Sequence, residues 1–343
     1  MAVTIKQVAE RANVSKTAVS YVLNGQATQA KIAPETAQRI WEVARELQYR
    51  PNALARGLAG KKTRALRVVL QYAQWFSVWS GFTSEMMRGV TAAAYNGDWE
   101  VVLHTRRSAQ ESTESELTHI LDGRTDGALL MRDITDPLIT QLADRGFPFV
   151  LMFAHVDDKR VAAADCDNVQ GGRMATEYLL SLGHQRILHV AGGPESRPAT
   201  DRRRGFVEAL QVAGVTPRPD WIVEAWELSH EATFAPVVDA LRLPADERPT
   251  AVFAWYDGVA LRVMQAAREL GLRVPEDLSV IGFDGTEMGA NAPVPLTTMR
   301  QPIVEITEKA VHLVAQQIAG DTETKPVVLF TPELLVRASC APA

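Results

Sequence analysis

Two hydrophobic periods run along the chain, and the change from one to the other divides it. Over the first fifty residues apolar positions recur every three or four places, which predicts short amphipathic helices. Thr4 followed three places later by Gln7 is a capping-box pattern, with Ile5, Val8 and Ala9 as the apolar stripe of a helix to about Arg11. Ala12-Asn13-Val14 reads as a tight turn. Ser15 then caps a second helix to about Leu23, with Val19, Val22 and Leu23 on its apolar side. Pro34 and Glu35 open a third helix through Leu47, with Ile40, Trp41, Ala44 and Leu47 turned inward.

From about residue 64 the pattern changes. Strand-like apolar runs such as "LRVVLQY", "WEVVLHT", "DGALLM" and "FPFVLMF" alternate with helical stretches such as "SEMMRGVTAAAYNG" and "PLITQLADRG". The series resumes with "GGRMATEYLLSLG", "RILHVAGG", "RRRGFVEALQVAG", "TAVFAWY", "DGVALRVMQAARELG" and "LSVIGFD". Alternation of this kind predicts an α/β body of parallel sheets covered by helices on both faces. A body this long should split into two lobes.

Composition narrows the class. The chain has 343 residues, 46% hydrophobic and 22% charged, the balance of a globular protein with more than one core. No apolar run reaches membrane-spanning length, and "MAVTIKQVAE" lacks the apolar region of a signal peptide, so a cytoplasmic protein without membrane contact is expected. Cys166 and Cys340 form no disulfide framework or metal-ligand spacing. Neither a metal nor a cofactor is expected.

Charge separates the two regions more sharply than the total of −5 suggests. Residues 1–62 hold ten Lys and Arg against four acids, whereas the remainder holds 26 basic against 37 acidic residues. A small basic module on an acidic body fits a head that binds a polyanion, although charge alone equally fits a merely soluble basic domain. The helix pattern decides between them. A helix, a three-residue turn and a second helix make the helix-turn-helix arrangement, whose second helix enters the DNA major groove. Ser15, Lys16, Thr17, Ser20 and Tyr21 form the polar face of that helix, suited to phosphates and base edges. Further on, in "RPNALARGLAGKKT", Asn52 can cap a short helix carrying Ala53, Leu54, Ala55 and Leu58. Leu58 could wedge between base steps of the minor groove; the same residues also fit a plain linker.

"TIKQVAERANVSKTAVSYVLNG" followed by "RPNALARGLAGKKT" resembles the head and hinge of the lactose-repressor (LacI-type) family of bacterial transcription regulators. The resemblance continues through "DNVQGGRMATEYLLSLGHQRILHVAGG", "RRRGFVEAL", "VPEDLSVIGFDGTEMG", "PLTTMRQP" and "PELLVRAS". It implies a head at 1–50, a hinge helix and linker at 51–63, and a periplasmic-binding-protein-like body at 64–343. The body's lobes would exchange chain near 161–164, 290–294 and 322–326, giving one lobe of about 64–162 and 293–323 and another of about 163–292 and 324–343. The implied partners are double-stranded operator DNA, a small-molecule effector such as a sugar or related metabolite, and a second copy in a homodimer or larger assembly. Thr4, Asn24, Asn52 and Ala55 join the residues above as DNA contacts. Arg202 and Asp284 fall at effector-contacting positions of the family, with Leu228 beside them. Several positions depart from its pattern: Tyr21 stands where Arg is frequent, Ala33 replaces a capping serine, Phe153-Ala154 replaces Asp-Arg, Tyr256 replaces Asn, and Gly285 replaces a second Asp.

A cleft between lobes, at the carboxyl ends of parallel strands, is the expected ligand site. Aromatics cluster near such ends: Trp75, Phe76 and Trp79 after the first body strand, Phe153 after "FVLM", and Trp255-Tyr256. Arg202 and Asp284 together could satisfy hydroxyls, or Arg202 could grip a carboxylate. Residues alone also fit a turn carboxylate at Asp284 and a solvated basic face at Arg203 and Arg204. Enzyme readings find no support. "AGGPES" and "GFDGTEMG" give no dinucleotide or phosphate-loop fingerprint, His184 and His189 lack a metal-binding spacing, and no Gly-x-Ser-x-Gly elbow occurs. A transported-solute binding protein would have no use for the basic head, and a sugar-processing enzyme needs paired carboxylates. The sequence therefore points to an allosteric, sequence-specific DNA-binding regulator, a repressor by resemblance.

Overall fold

The computed structural model describes residues 3–23, 27–49, 62–70, 81–105, 112–225, 231–321 and 326–343. The chain separates into two compact units, 1–63 and 64–343, at the end of the basic segment. The hinge stretch, with Asn52, Ala55 and Leu58, lies outside the described residues, as does Asn24.

Three helices form the first unit: α1 (Ile5–Ala12), α2 (Lys16–Leu23) and α3 (Pro34–Glu46). Both halves of the capping box at Thr4 and Gln7 are made, and Asn13, left-handed at φ 53°, closes α1 by donating its N–H to the Ala9 and Glu10 carbonyls. Asparagine tolerates that conformation better than most residues, which is why the turn is so short. The Ser15 hydroxyl accepts the Ala18 N–H at 3.1 Å and starts α2. Val8, Ala12, Val19, Val22, Ile40 and Ala44 meet in one small core. Arg39 of α3 donates Nε–H to the Ala12 carbonyl at 3.1 Å, holding the turn against the third helix. Trp41 departs from expectation. It is 43% exposed, and Val43 takes its place inside. Each residue turns the helix by about 100°, so Val43 and Ala44 share the side of Ile40 while Trp41 leaves it. Ala33 provides no side-chain cap for α3.

The second unit holds two six-stranded sheets. The first is wholly parallel: β1 (Ala65–Leu70), β2 (Glu100–Thr105), β3 (Gly127–Met131), β4 (Phe149–Met152), β5 (Ala162–Cys166) and β11 (Val327–Phe330), in the order β11-β5-β4-β3-β1-β2. The second contains β6 (Ile187–Ala191), β7 (Ile222–Glu224), β8 (Ala251–Ala254), β9 (Ser279–Asp284), β10 (Thr297–Arg300) and β12 (Glu333–Leu335), ordered β12-β10-β9-β8-β6-β7 with only β12 antiparallel. Helices cover them: α4 (Gly81–Asn96), α5 (Thr113–Ile120) and α6 (Pro137–Asp144), then α7 (Asn168–Ser181), α8 (Arg197–Val212), α9 (Glu231–Arg242), α10 (Asp257–Glu269), α11 (Glu287–Ala290) and α12 (Ile303–Ala319). β1 and β9 are buried at every position, as expected of strands covered on both faces.

The lobes change over later than expected. β5 and β11 belong to the first sheet and β10 to the second, so the crossings lie at 167, 301–302 and 331–332 rather than near 161–164, 290–294 and 322–326. "AAADC" is poor in β-branched residues and does not read as a strand, yet its small side chains fit a fully buried position. "TTMR" follows a turn that looks like a lobe boundary but first completes the second sheet. α12 then packs on α4 and on β3, β4 and β5 of the first lobe.

α7 and α8 touch backbone to backbone. A methyl group at Gly205 would stand 2.1 Å from the Val169 carbonyl oxygen, and one at Gly172 would stand 2.2 Å from that of Arg202. Only glycine permits this crossing. Gly205→Ala should therefore destabilise the 64–343 unit by about 1–3 kcal/mol in urea unfolding, and an unshifted midpoint would contradict the contact. In the first unit, Ala33→Ser should add about 0.5–2 kcal/mol, read as slower amide exchange at Ile40 and Val43; unchanged exchange would show that α3 does not lack a cap.

Candidate functional site

The first unit presents α2 with its polar face outward. Ser15, Lys16, Thr17 and Tyr21 are exposed and Ser20 is half-buried, while Val19 and Val22 hold the opposite face in the core. Thr4 and Ser15 are also exposed, with their side chains engaged as helix caps. Where α1 ends and α2 begins lies a hollow of about 480 Å³, bounded by Lys6, Glu10, Asn13, Ser15 and Lys16. Lys6 is ion-paired with Glu10 at 3.7 Å, and Lys16 stands beside the start of α2, where the helix dipole favours an anion.

In the second unit the strand ends build a buried polar cluster around Arg202. Its guanidinium is 3% exposed and lies 3.6 Å over the Phe283 ring. Nε–H donates to Asn168 Oδ1 at 2.9 Å and Nη1–H to the Trp255 carbonyl. Asn168 opens α7, Trp255 follows β8 and Phe283 lies in β9, so this one side chain ties three elements to α8. Asp284 ends β9 with φ 123°, a conformation seldom adopted by a residue with a side chain. Its Oδ1 accepts the Gln301 amide at 2.6 Å, and among the described residues its carboxylate caps no backbone N–H. Strain of this kind persists only where surrounding structure over-determines it, and it gathers at ligand-holding sites.

Asp257 sits one layer deeper, 1% exposed, and accepts from Thr286 N at 2.8 Å, Thr286 Oγ1 at 2.9 Å and Thr298 Oγ1 at 2.6 Å. Burial raises both Asp284 and Asp257 above the usual carboxylate range; for Asp284 the neighbouring Asp257 adds to this, against the pull of Arg202 and Gln301. Three donors favour ionised Asp257 and one serves Asp284, so a proton held by the pair resides on Asp284. The Tyr256 phenol is pushed up by its burial and by Asp284. Trp255 carries a buried Nε1–H without a partner among the described residues.

Arg202, Asp284 and Tyr256 are thus brought together. Phe153 belongs to the first lobe: it is buried, left-handed at φ 59°, and its ring meets Phe82 edge-on at 4.7 Å. Trp75, Phe76, Trp79 and Leu228 lie outside the described residues. Arg203 and Arg204 do form a solvated face, paired with Glu224 and with Asp201 and Glu208. Asn168, Asp257 and Gln301 were not singled out beforehand, although "DNVQGG" and "TTMRQP" carry two of them. A cavity of about 600 Å³ lies on the far side of Asn168, walled by His155, Gln170, Arg173, Glu177 and Arg204. Among the described residues, Phe153, Arg202, Tyr256 and Asp284 do not line it, and its arginines are taken up by Glu208 and Asp201.

Comparison with known proteins covers both units. Residues 4–52 match the family described as bacterial regulatory proteins, lacI family, and residues 176–340 match a periplasmic binding protein-like domain. The HTH-type transcriptional repressor PurR of Aliivibrio salmonicida is 32% identical over 338 residues, 98% of either chain. The same repressor from Pasteurella multocida is 31% identical over 341 residues, again 98% of either chain. Among solved structures, the lac repressor dimer bound to operator and the anti-inducer ONPF superposes with a TM-score of 0.81 at 26% identity, covering 99% of this chain and 100% of that one. The transcriptional regulator CelR in complex with cellobiose gives 0.73 at 29% identity, covering 98% and 99%.

The buried carboxyl at Asp284 makes a pH-dependent prediction. Its folded pKa is raised, so the native state is penalised once pH climbs past the unfolded carboxylate range, and the stability present below is lost as pH rises through the folded value. Asp284→Asn keeps an acceptor for Gln301 and removes the ionisation. Its melting temperature should match the parent near about pH 4 and exceed it increasingly toward about pH 8. A difference that is constant with pH would contradict the assignment of the proton.

Proposed function

The chain belongs to the lacI family of bacterial regulatory proteins and is a DNA-binding transcriptional repressor governed by a small-molecule effector, and we propose that α2 reads its operator while the Arg202–Asp284 cluster receives the effector. The observation that carries this reading is the exposed Lys16–Thr17–Tyr21 face of a capped helix inside the basic unit. Lys16, Thr17, Ser20 and Tyr21 reach base edges, and Thr4, Ser15 and Asn24 meet phosphates. The helix-start hollow beside Lys6 and Lys16 suits a backbone phosphate, where N–H groups and cations act together. Asn52, Ala55 and Leu58 follow into the minor groove, Leu58 as an apolar wedge at the operator centre.

One head offers a recognition helix of eight residues, too small a surface for tight binding alone. Two copies on a two-fold symmetric operator raise affinity through effective concentration, so the working form is a homodimer, in keeping with the operator-bound lac repressor dimer. Such a protein acts where the chromosome is, in the cytoplasm, and no helix among the described residues is long and apolar enough to cross a membrane. Its relatives over the full length are regulators rather than enzymes, so the solute-binding and sugar-processing alternatives fall away.

In the body, Arg202 and Asp284 supply polar contacts, with Trp75, Phe76, Trp79, Phe153, Leu228 and Tyr256 as apolar walls. CelR with its bound cellobiose is one analogy for such a ligand. Asp284 also grips the second crossing: its carboxylate accepts the Gln301 side chain, and its carbonyl accepts the Gln301 N–H at 3.1 Å. An effector that engages Asp284 therefore acts on the segment joining β10 to α12, and the lobe angle follows.

Selection of binding sites from a random DNA pool tests the head. The wild type should enrich a near-palindrome, and Lys16→Ala, Thr17→Ala and Tyr21→Ala should each change the preferred base at particular positions, by about 1–3 kcal/mol per contact. Weakening that is uniform across all sites would assign these side chains to phosphates alone.

A further inference from the structure

One buried cation of the body belongs to neither site. Arg67 stands within β1, a strand buried at every position, and is 1% exposed. A guanidinium out of water needs hydrogen bonds in place of solvent, and among the described residues Arg67 finds them in a single loop, between α5 and β3. Nε–H donates to Thr125 Oγ1 at 3.3 Å and Nη2–H to Asp122 Oδ1 at 3.2 Å. Arg124 holds Asp122 as well, its N–H and Nε–H reaching the two oxygens at 3.0 and 2.6 Å. The loop so ordered ends on Asp126, beside the point where the chain enters the body.

We infer that Asp126 and Arg64 form a clamp that fixes the chain where the hinge stretch joins the body, and that this clamp sets which spacing of operator half-sites two heads can span. Asp126 is a positioning residue, acting on DNA binding through Arg64. The inference rests on the reading above in which two copies bind one two-fold operator.

Asp126 holds the entering chain twice. Its Oδ2 accepts the Arg64 N–H at 2.8 Å, and its own N–H donates to the Ala65 carbonyl at 2.8 Å. From the opposite flank, the Glu100 N–H at the start of β2 donates to the Arg64 carbonyl at 2.7 Å. Arg64 itself is left-handed at φ 60°, a conformation that persists in a residue with a side chain only where its surroundings impose it. The guanidinium lies 5.3 Å over the Trp99 ring and 3.4 Å from Asp98. That ion pair is exposed and contributes little, so the ring and the backbone bonds carry the clamp. With both N–H and C=O engaged, the backbone at Arg64 has one direction. Joining two heads raises affinity only as far as the connecting chain lets both reach their half-sites. A chain fixed at its root concentrates the heads on one spacing; a released root spreads them over many.

The test measures, by fluorescence anisotropy at one salt concentration, the affinity of the full chain for three duplexes: the selected operator, that operator with one base pair inserted at its centre, and a single half-site. The insertion moves one half-site by about 3.4 Å and turns it by about 34°. Wild type should lose about tenfold or more on insertion. Asp126→Ala should bind the half-site as wild type does, bind the operator about fivefold or more weakly, and lose less than about threefold on insertion. Asp126→Asn keeps an acceptor for the Arg64 N–H and should restore the wild-type ratio. A role in stability alone lowers the melting temperature without moving that ratio. An Asp126→Ala protein that melts cooperatively and keeps the wild-type ratio overturns the inference and leaves the two-headed reading standing. If Asp126→Ala does not fold, Arg64→Gly decides: it relieves the left-handed strain, removes the hold on Trp99 and lets the root turn, so its loss on insertion should also fall below about threefold. A wild-type ratio there overturns the inference. A wild type that binds both long duplexes equally overturns the two-headed reading, and the inference with it.

Discussion

A guanidinium taken out of water is the constraint on which this body is organised. Removing an arginine from solvent costs several kcal/mol unless hydrogen bonds and opposite charge surround it, so every element near Arg202 is committed to that task. Asn168 supplies an amide oxygen from the start of α7, Trp255 a carbonyl from the end of β8, and Phe283 a ring face from β9. Those three can converge only because Gly172 and Gly205 bring α7 and α8 into backbone contact. The same crossing sets Asn168 immediately after β5, the strand from which the chain leaves the first lobe. One buried cation thereby joins the second lobe's core to the connection between lobes.

Asp284 extends this arrangement to the second connection. By holding Gln301 through both side chain and backbone, it links the end of β9 to the segment that carries the chain back into α12. A ligand contacting Arg202 and Asp284 therefore touches groups that anchor two of the three crossings. In the proposed reading site and hinge share the same residues, so binding energy would become a change of lobe angle without a relay between distant parts. The arrangement costs a carboxyl whose ionisation burial opposes and a backbone held at φ 123°.

Much of this was legible beforehand, for identifiable reasons. The capping box at Thr4, the cap at Ser15 and the turn at Asn13 are local hydrogen-bond chemistry, and each stands where its residues predict. The alternation of runs in the body indicated two parallel-sheet lobes because buried parallel strands are continuously apolar. The lobe boundaries were less readable. Ala162–Cys166 forms a strand through its surroundings rather than through its propensity, and "TTMR" joins a sheet only through partners far away in sequence. Trp41 was misplaced by one helical step. In the site, Arg202 and Asp284 were found through motif resemblance, whereas Asn168, Asp257 and Gln301 depend on contacts spanning 17 to 41 residues that no local pattern encodes.

The central claim is that occupancy of the Arg202–Asp284 cleft sets the affinity of the α2 face for DNA. Its most direct test is a fluorescence-anisotropy titration of a selected operator duplex with the full chain, in the presence and absence of the compound that most raises its melting temperature in a thermal-shift screen of sugars, nucleosides and small acids. Wild type and Arg202→Ala are compared at one fixed salt concentration. The account predicts that the compound changes wild-type operator affinity by about tenfold or more, while Arg202→Ala binds operator as the wild type does without ligand and responds by less than about twofold. An Arg202→Ala protein that folds, binds operator and still responds in full would contradict it.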